Sequence, residues 1–581
     1  METVRRPTSA EDKPTGITKW MPGVALLRSY QREWLPKDIV AGLVLSALLV
    51  PQGMAYAELA GLPAITGLYT TVLCLVAYAL FGPSRYLVLG PDSSLGPMIA
   101  AAILPLAAGS ESQAIALAGM LSILVGLLCV TAGVARLGFV ADLLSRPVRV
   151  GYMAGLAVTI VVGQLPKLFG FSVDASGLFA ELAAFWQNLS STNVWALAIG
   201  VVDLALILIL KRRKSRIPGV LAAVIVSIVS VSLLDLTAQG VKVVGTLPQG
   251  FPRPSLPVID WSAVPVLLAT AFGISLVAIG DTISTSVGFA ARRGYKVDSN
   301  QELIGIGSAN LLASMFQGFP VSTSGSRTAV AEQSGAKSQL TGLVAAAAVL
   351  AMLVFVPGLM RNLSQSALAA IVIMAAISLF DVKQLGTLFA MRKTEFAMAL
   401  ICASGVAVFG VLEGIVLALV VSIMQFFARF WRPYSTVLGK PEGVAGYHDV
   451  TRYPDAELIP GLLIVRWDAP IFFANTNLFR EMVHERVAEC AVKPHWVLIA
   501  AYSITDVDTT AAEMLTDLDN DLNADDIHLV FAGLKDPVRD RIIQYGLLET
   551  IKKRHFFPTV EAAVQSFKDR HLDSGSSSEQ S

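Results

Sequence analysis

Two stretches of the sequence combine glycine, proline and hydroxyl side chains in a pattern typical of an anion site. They are GFPVSTSGSRTAV (318–330) and SRYLVLGPDSSLGPMIA (84–100). In each, a short extended run with Gly and Pro leads through hydroxyl residues into an apolar helix. The first N–H groups of a helix have no partner within it and carry partial positive charge. Two such helix starts that meet would therefore suit an anion.

Arg327 is a charged residue inside this otherwise apolar region. A charged side chain at the bilayer centre costs about 2.5–3.5 kcal/mol on insertion scales. A bound oxyanion would offset this cost through charge-assisted hydrogen bonds, and Ser322, Thr323, Ser324 and Ser326 can donate further ones. We predict an oxyanion site here. The alternatives are an arginine that reaches the surface from a helix end and a structural ion pair.

The apolar stretch 39–63 carries the residues Pro51-Gln52-Gly53 in its interior. Because proline lacks an N–H and clashes with the preceding turn, we expect the helix to be interrupted there. Gln52 and Tyr56 would then face the cavity. The alternative is a kink that serves only packing, with Tyr56 at the membrane interface.

The apolar stretch 263–291 has a single charge, Asp281, which hydroxyl residues follow, among them Thr282 and Thr285. An acid within a membrane segment indicates a function by default. We predict that this acid is functional, either by carrying a proton or, with the hydroxyl groups, by forming an oxygen shell for Na⁺. The alternative is a structural partner for Arg327 or for the backbone.

The composition requires a membrane setting for these residues. The chain has 581 residues, of which 54% are hydrophobic and 15% charged, and its mean hydropathy is +0.63. Soluble domains contain about 25% charged residues. A net charge of +0 gives no field that would favour nucleic acid. These values predict a membrane protein with many spans.

Cysteine and histidine usage excludes several kinds of site. None of the four cysteines forms a Cys-x-x-Cys pair, so neither zinc nor a disulfide framework is expected. All six histidines lie at or after His448, so the membrane part has no histidine proton relay. No Walker A loop appears, which argues against ATP-driven transport. We predict no cofactor, no metal and no enzymatic activity.

Apolar segments recur along the chain at spanning or near-spanning length. We predict fourteen, near 39–59, 65–82, 91–108, 114–134, 142–165, 194–210, 217–235, 263–291, 302–318, 324–335, 340–360, 366–380, 394–410 and 412–430. The two anion-site stretches fall in the third and tenth. A repeat of seven segments must be inverted in the membrane, and short or interrupted segments at matching positions indicate a transporter site.

The basic clusters 211–216, 292–296, 392–393 and 429–432 all follow even-numbered segments. The positive-inside rule then places both termini in the cytosol. We predict a cytosolic tail (1–38), a transport domain (39–430), a cytosolic α/β domain (438–572) and a disordered tail (573–581). In the α/β domain we predict strands at 462–467, 469–475, 495–503 and 527–533, with helices between them.

Four stretches resemble the signature regions of the SulP (sulfate permease) anion transporters: VPQGMAYAELAGLPAITGLYT (50–70), GPSRYLVLGPDSS (82–94), RGYKVDSNQELIGIGSANLLASMF (293–316) and FPVSTSGSRTAVAEQSGAKSQLTGL (319–343). The soluble part resembles the STAS domain of that family. The resemblance implies fourteen spans in a seven-plus-seven inverted repeat and a homodimer. It places the anion site at Gln52, Tyr56, Asp92, Ser93, Ser326 and Arg327, and cation coupling at Asp281.

Two positions have competing interpretations. Many SulP members have a small or apolar residue at the position of Asp92, and an acid there would repel an anion unless it is protonated or paired. Asp92 also suits a helix N-cap. ITDVDTTAAEML (504–515) resembles the phosphorylation loop of anti-sigma antagonists, with Thr510 at the acceptor position; a plain N-cap is the alternative.

We predict a secondary transporter in the cell (plasma) membrane that moves a small oxyanion, sulfate, by proton symport and alternating access. Na⁺-coupled transport of bicarbonate or a C4-dicarboxylate, anion exchange and a channel-like activity are the alternatives. The residues themselves do not distinguish among these anions. Further predicted partners are membrane lipid and a cytosolic protein that binds the STAS domain, whose signalling role is another alternative.

Overall fold

The computed structural model describes residues 20–28, 30–139, 145–173, 175, 177–213, 218–250, 254–255 and 261–571. The chain divides after Ser422 into two compact units. The tail predicted at 573–581 and half of the tail predicted at 1–38 lie outside the described residues. The predicted domain bounds therefore stay predictions.

The first unit is helical. Its helices are α1 (Pro22–Arg28), α2 (Leu35–Leu59), α3 (Ala64–Phe81), α4 (Gly96–Ala107), α5 (Glu111–Val134), α6 (Arg146–Leu168), α7 (Leu178–Gln187), α8 (Val194–Arg212), α9 (Gly219–Leu233), α10 (Val264–Arg293), α11 (Ser299–Ser314), α12 (Gly325–Gln333), α13 (Leu340–Phe355), α14 (Gln365–Leu379), α15 (Val382–Met391), α16 (Lys393–Phe409) and α17 (Val411–Trp431), the last of which continues past Ser422. Each of the fourteen predicted segments coincides with one helix, and α1, α7 and α15 are additional.

The apolar helices agree with a membrane protein of many spans. Among the described residues, eight helical stretches are long and apolar enough to cross a bilayer, and α4, α9 and α13 are shorter apolar helices. A continuous apolar core runs through the unit. The number of spans stays a prediction, because these measures concern length and composition alone.

The helices of the first unit pack in two groups. In the first group, α11 packs against α3 and α5, α13 against α2, and α10 against α4 and α5. In the second group, α6 packs against α14 and α16, and α8 against α9 and α14. The groups meet where α14 and α9 touch α2.

The interruption predicted at Pro51 is wrong. Helix α2 runs without a break from Leu35 to Leu59 with Pro51 inside it. A proline removes one backbone hydrogen bond, and buried surroundings can tolerate this loss within a membrane helix. Gln52 and Tyr56 therefore sit on a continuous helix, one turn apart.

Strands β1 (Leu89–Gly90) and β2 (Ser322–Thr323) belong to the first unit. The elements of the second unit are β3 (Ser435–Gly439), β4 (His448–Asp449), β5 (Leu462–Trp467), α18 (Thr476–Ala488), β6 (Trp496–Ala500), α19 (Thr509–Ala524), β7 (His528–Ala532), α20 (Asp536–Gln544), α21 (Leu547–Thr550), β8 (Phe556–Phe557) and α22 (Val560–His571). Its strands form a six-stranded sheet in the order β4-β3-β5-β6-β7-β8. The last four strands in this order are parallel, and β3 is antiparallel to both of its neighbours. This sheet confirms the predicted α/β character of the C-terminal region.

One predicted strand of this region, 469–475, is wrong. Only a single bridge, between Ile471 and Val507, forms there. The Asn475 side chain accepts a hydrogen bond from the Phe472 N–H (2.9 Å) and donates one to the Pro470 carbonyl (2.9 Å). These local bonds fold the segment into a turn, because asparagine side chains compete with strand pairing.

Candidate anion site

The two predicted anion-site stretches cross each other in the first unit. Strand β1 (Leu89–Gly90) pairs antiparallel with β2 (Ser322–Thr323). The pairing continues beyond both strands, since the Ser324 N–H donates to the Val88 carbonyl (3.3 Å) and the Val88 N–H donates to Thr328 Oγ1 (3.1 Å). Helices α4 and α12 follow these strands, so their starts lie on either side of one crossing.

Arg327 joins the two halves of this crossing. Its Nη1 donates to the Pro91 carbonyl (2.7 Å) and its Nη2 to the Gly90 carbonyl (3.5 Å). Nη2 also lies 3.6 Å from Asp92 Oδ1. The residue is 1% exposed and does not line the cavity described below. The guanidinium thus links α12 to the backbone of β1 and of the residue that follows it. It lies behind the residues that line the cavity.

Asp92 forms the turn that leads into α4. Its Oδ2 accepts from the Ser94 N–H (3.0 Å) and from Ser94 Oγ (2.5 Å), and its carbonyl accepts from the N–H groups of Leu95 and Gly96. With Arg327 beside it, the carboxylate is both hydrogen-bonded and paired. Its negative charge is thus balanced within the protein, although Asp92 lines the cavity. The suggested N-cap role of Asp92 is wrong, because the N-cap of α4 is Leu95 and no side chain caps this helix.

The start of α12 differs from the start of α4. Gly325 and Ser326 line the cavity and belong to the first turn of α12, whose N–H groups have no acceptor within the helix. The Ser324 side chain does not cap the helix and instead lies 3.0 Å from Ser326 Oγ. The partial positive charge of α12 therefore faces the cavity. The start of α4 has no side-chain cap either, but the Asp92 carboxylate lies close before it and reduces its positive charge.

A cavity of about 630 Å³, the central cavity, lies in front of the crossing. Gln52, Tyr56 and Ser93 form its buried end, and exposed Lys211 and Ser378 form its open end. Its lining is Leu48, Gln52, Tyr56, Asp92, Ser93, Ile207, Leu210, Lys211, Pro218, Gly219, Val220, Asp281, Thr285, Thr323, Ser324, Gly325, Ser326, Val330, Ile371, Met374, Ala375, Ser378 and Leu379. The structure thus brings Gln52, Tyr56, Asp92, Ser93, Ser324 and Ser326 together.

A contact between two glycines sets the position of Gln52 and Tyr56. A Cβ atom on Gly67 of α3 would lie 1.9 Å from the Gly53 carbonyl oxygen of α2, so the two helices touch backbone to backbone. No larger residue fits such an approach. Gln52 Oε1 is buried and has no hydrogen-bond partner among the described residues. This unsatisfied acceptor is a polar atom that a ligand or water can use.

The predicted cation-coupling residues lie on the same wall. Asp281 and Thr285, one turn apart on α10, both line the central cavity. Thr282 is fully buried behind that wall, and its Oγ1 has no partner among the described residues. In the parts of the chain that the structure describes, no group of three or more His, Cys, Asp or Glu residues is placed to hold a metal ion.

Lys211 is a cavity residue that the sequence analysis missed. It belongs to the basic cluster that served to orient the chain, and it lies in the last turn of α8. Ile207 precedes it by four residues and lines the same cavity, so one face of α8 forms part of the wall. The sequence carried a signal for this role, since an apolar residue four positions before a basic cluster lies on the same face of a helix as the first basic residue.

Thr510 lies on the exposed second residue of α19 in the second unit. Asp508 Oδ1 accepts from the Ala511 N–H (2.8 Å) and caps this helix. Asp508 Oδ2 accepts from the Phe473 N–H (2.9 Å). The N-cap therefore falls on Asp508 and leaves the Thr510 hydroxyl on the surface, where phosphorylation stays a prediction.

Two family profiles match the chain. The Sulfate permease family matches residues 35–402, and the STAS domain matches residues 453–563. A probable sulfate transporter of Mycobacterium tuberculosis (strain ATCC 25618 / H37Rv) is 39% identical over 551 residues, which cover 95% of this chain and 98% of that protein. Sulfate transporter 4.1, chloroplastic, of Arabidopsis thaliana is 30% identical, with coverage of 97% and 87%.

Solved structures share the fold. The murine solute carrier 26 family member A9 anion transporter in the inward-facing state has a TM-score of 0.89 at 22% identity, with 97% of both chains covered. The transmembrane domain of a cyanobacterium bicarbonate transporter has a TM-score of 0.60 at 21% identity and covers 68% of this chain and 98% of that one. The chain belongs to the sulfate permease family, a family of transporters and not of enzymes, and is a multi-pass membrane transporter with a C-terminal STAS domain.

Proposed function

We propose that this protein transports sulfate into the cell by proton symport. The observation that carries the proposal is the arrangement at the central cavity, where the uncapped start of α12 faces an open space beside Gln52, Tyr56 and Ser93. Helix N–H groups and hydroxyl groups suit the oxygens of a small oxyanion. The relatives that are named sulfate transporters support the choice of sulfate.

Charge is the reason for a coupled proton. Moving one negative charge inward against an inside-negative potential costs about 2.3 kcal/mol per 100 mV. Asp281 lies on the cavity wall, and the described membrane helices contain no histidine. We propose that the Asp281 carboxylate binds the proton in the conformation open to the outside and releases it inside the cell.

The second candidate is a Na⁺-coupled transporter of bicarbonate or a dicarboxylate. Asp281 and Thr285 favour it, because their oxygens share one wall and can both face a cation. Proteoliposomes loaded without sulfate separate the candidates. If the protein is a proton symporter, uptake of labelled sulfate should rise as the external pH falls and should not change when Na⁺ is added. Strict Na⁺ dependence, with bicarbonate displacing sulfate, would favour the second candidate.

Replacing Asp281 with asparagine is expected to weaken the concentrative uptake of sulfate and its dependence on pH. The amide cannot bind or release a proton, so the charge of this proton no longer offsets a charge of the anion. The measurement is uptake against external pH, for wild type, Asp281→Asn and the exposed control Asp235→Asn. An Asp281→Asn variant that still concentrates sulfate with the pH dependence of wild type would rule out Asp281 as the coupling group.

We propose alternating access, because the central cavity is buried at Gln52 and Tyr56 and open at Lys211 and Ser378. Lys211 lies at the open end, and the positive-inside rule assigns its basic cluster to the cytosol. We therefore propose that this conformation faces inward, in the cell (plasma) membrane, with both termini cytosolic. The family resemblance supports a homodimer.

A protease experiment tests the orientation. In right-side-out vesicles, external protease is expected to leave the STAS domain intact, since a cytosolic domain is out of its reach. In inverted vesicles the same protease should cut the exposed turn at Glu442–Gly446. Cleavage within 440–570 in right-side-out vesicles would reverse the proposed topology.

A further inference from the structure

Asp203 is a buried acid in the middle of α8 that the proposed transport mechanism does not use. Its neighbours Val201 and Val202 are about half exposed on the outer surface of the helix, whereas Asp203 is 0% exposed. The carboxyl group therefore points into the second helix group. Acids in this position are rare, because a membrane interior penalises charge.

The carboxyl group is isolated. Both of its oxygens are buried without a hydrogen-bond partner among the described residues. Helices α6, α9 and α14 pack against α8, and α9 and α14 contain no titratable side chain. The titratable residues of α6 are Arg146, Arg149, Tyr152 and Lys167, and none of them pairs with Asp203 within the ion-pair distance of 4.0 Å. No hydrogen bond from the described residues therefore competes with a proton for these two oxygens.

Asp203 lies one helical turn from the central cavity. Ile207, four residues further along α8, lines that cavity, whereas Asp203 itself does not. The next residue, Leu204, packs against a buried apolar cluster that includes Ala369 and Ile373 of α14. Met374, which follows Ile373 on α14, lines the central cavity as well. The carboxyl group is therefore buried directly behind the α8 and α14 side of the cavity.

We propose that Asp203 is a second proton-binding site of the transport cycle. It binds a proton while the central cavity is open to the outside, changing from carboxylate to neutral acid. It returns the proton, past Ile207, to the water of the central cavity. This position does not suit a metal cation. Hard cations need several oxygen ligands, and the Asp203 carboxyl group has no hydrogen-bond partner among the described residues.

This inference rests on the proposed proton–sulfate symport and completes its charge balance. Sulfate carries two negative charges, and a single proton on Asp281 would leave one uncompensated. At 100 mV, inside negative, one uncompensated charge lowers the accumulation ratio about fifty-fold. A second proton, on Asp203, balances the second negative charge of sulfate. No net charge then crosses the membrane with each sulfate, so the membrane potential no longer opposes uptake.

The test is the proton count per sulfate in proteoliposomes whose potential is set with a potassium gradient and valinomycin. Wild type is expected to take up two protons per sulfate, independently of voltage. Asp203→Asn should take up one, and its accumulation of sulfate should fall about fifty-fold at 100 mV. The control Asp235→Asn makes the same change at an exposed acid that follows α9 and should behave as wild type.

A second variant and a spectroscopic measurement distinguish failure of this inference from failure of the proposed symport. Asp203→Glu retains a titratable group and should restore the count of two. Infrared difference spectra of wild type should show a protonated carboxyl band that Asp203→Asn lacks, whether or not the variant transports. An unchanged count and voltage response in Asp203→Asn would overturn the inference alone. Sulfate uptake by wild type without any proton movement would overturn the proposed symport, and this inference with it.

Discussion

Arg327→Ala is expected to abolish transport and to lower stability together. The guanidinium satisfies the carbonyls of Pro91 and Gly90 and balances Asp92 inside the protein. Removing one partner of a buried ion pair costs about 3–5 kcal/mol, since the remaining charge stays buried. Here the loss would also free β1 from α12 and misplace the start of that helix. We expect at least a hundredfold loss of sulfate uptake.

Two variants distinguish the structural role of Arg327 from direct anion contact. Arg327→Lys keeps the charge but loses the planar fork, so it should recover stability partly and uptake less. Asp92→Asn should reduce the effect of Arg327→Ala on the melting temperature, because the uncompensated charge is then absent. The exposed Arg361→Ala serves as control. An Arg327→Ala protein with the melting temperature and sulfate affinity of wild type would contradict both roles.

Gly67→Ala is expected to prevent accumulation of folded protein. The new Cβ would lie 1.9 Å from the Gly53 carbonyl oxygen and 3.0 Å from Ala57 Cβ, so α2 and α3 must move apart. Overpacking of this kind costs about 1–3 kcal/mol or more. It would also displace Gln52 and Tyr56 from the central cavity. The measurement is the yield of monodisperse protein in detergent, with its melting temperature and uptake.

Gly288→Ala is the matched control for this substitution. Gly288 lies inside α10, is exposed, and has no atom within 4 Å of an added Cβ. Alanine favours a helix over glycine by roughly 0.5–1 kcal/mol, so this variant should equal wild type or exceed it in stability. If Gly67→Ala melted and transported like Gly288→Ala, the helices would not be in the close contact that the structure assigns to them.

Hydropathy predicted the helices well, because a helix that contacts lipid or the protein core needs apolar residues along its own length. The stretch 318–330 was also interpretable, since glycine, proline and hydroxyl residues break regular structure in a recognisable way. The direction of Arg327 was not predictable. The Arg327 guanidinium turns to the carbonyl of Pro91, which lies more than 200 residues away in the sequence. The residues around Arg327 do not determine this long-range contact.

The same limit explains the errors at Pro51 and at 469–475. Proline usually ends a helix, but the packing around α2 holds that helix together across a missing hydrogen bond. The apolar residues of 469–475 suit a strand, but the Asn475 side chain closes a turn instead. In both places a tertiary or side-chain contact outweighed a local preference.

The two walls of the central cavity have different compositions. Gln52, Tyr56, Asp281 and the start of α12 belong to the first helix group, whereas the α8, α9 and α14 wall is apolar apart from Lys211 and Ser378 at the rim. Under the proposed alternating access, we expect substitutions on the first wall to change which anion is bound and how tightly. We expect substitutions on the second wall to change the rate at which the cavity changes sides. A change of substrate through the first wall should then leave the transport rate set by the second wall intact.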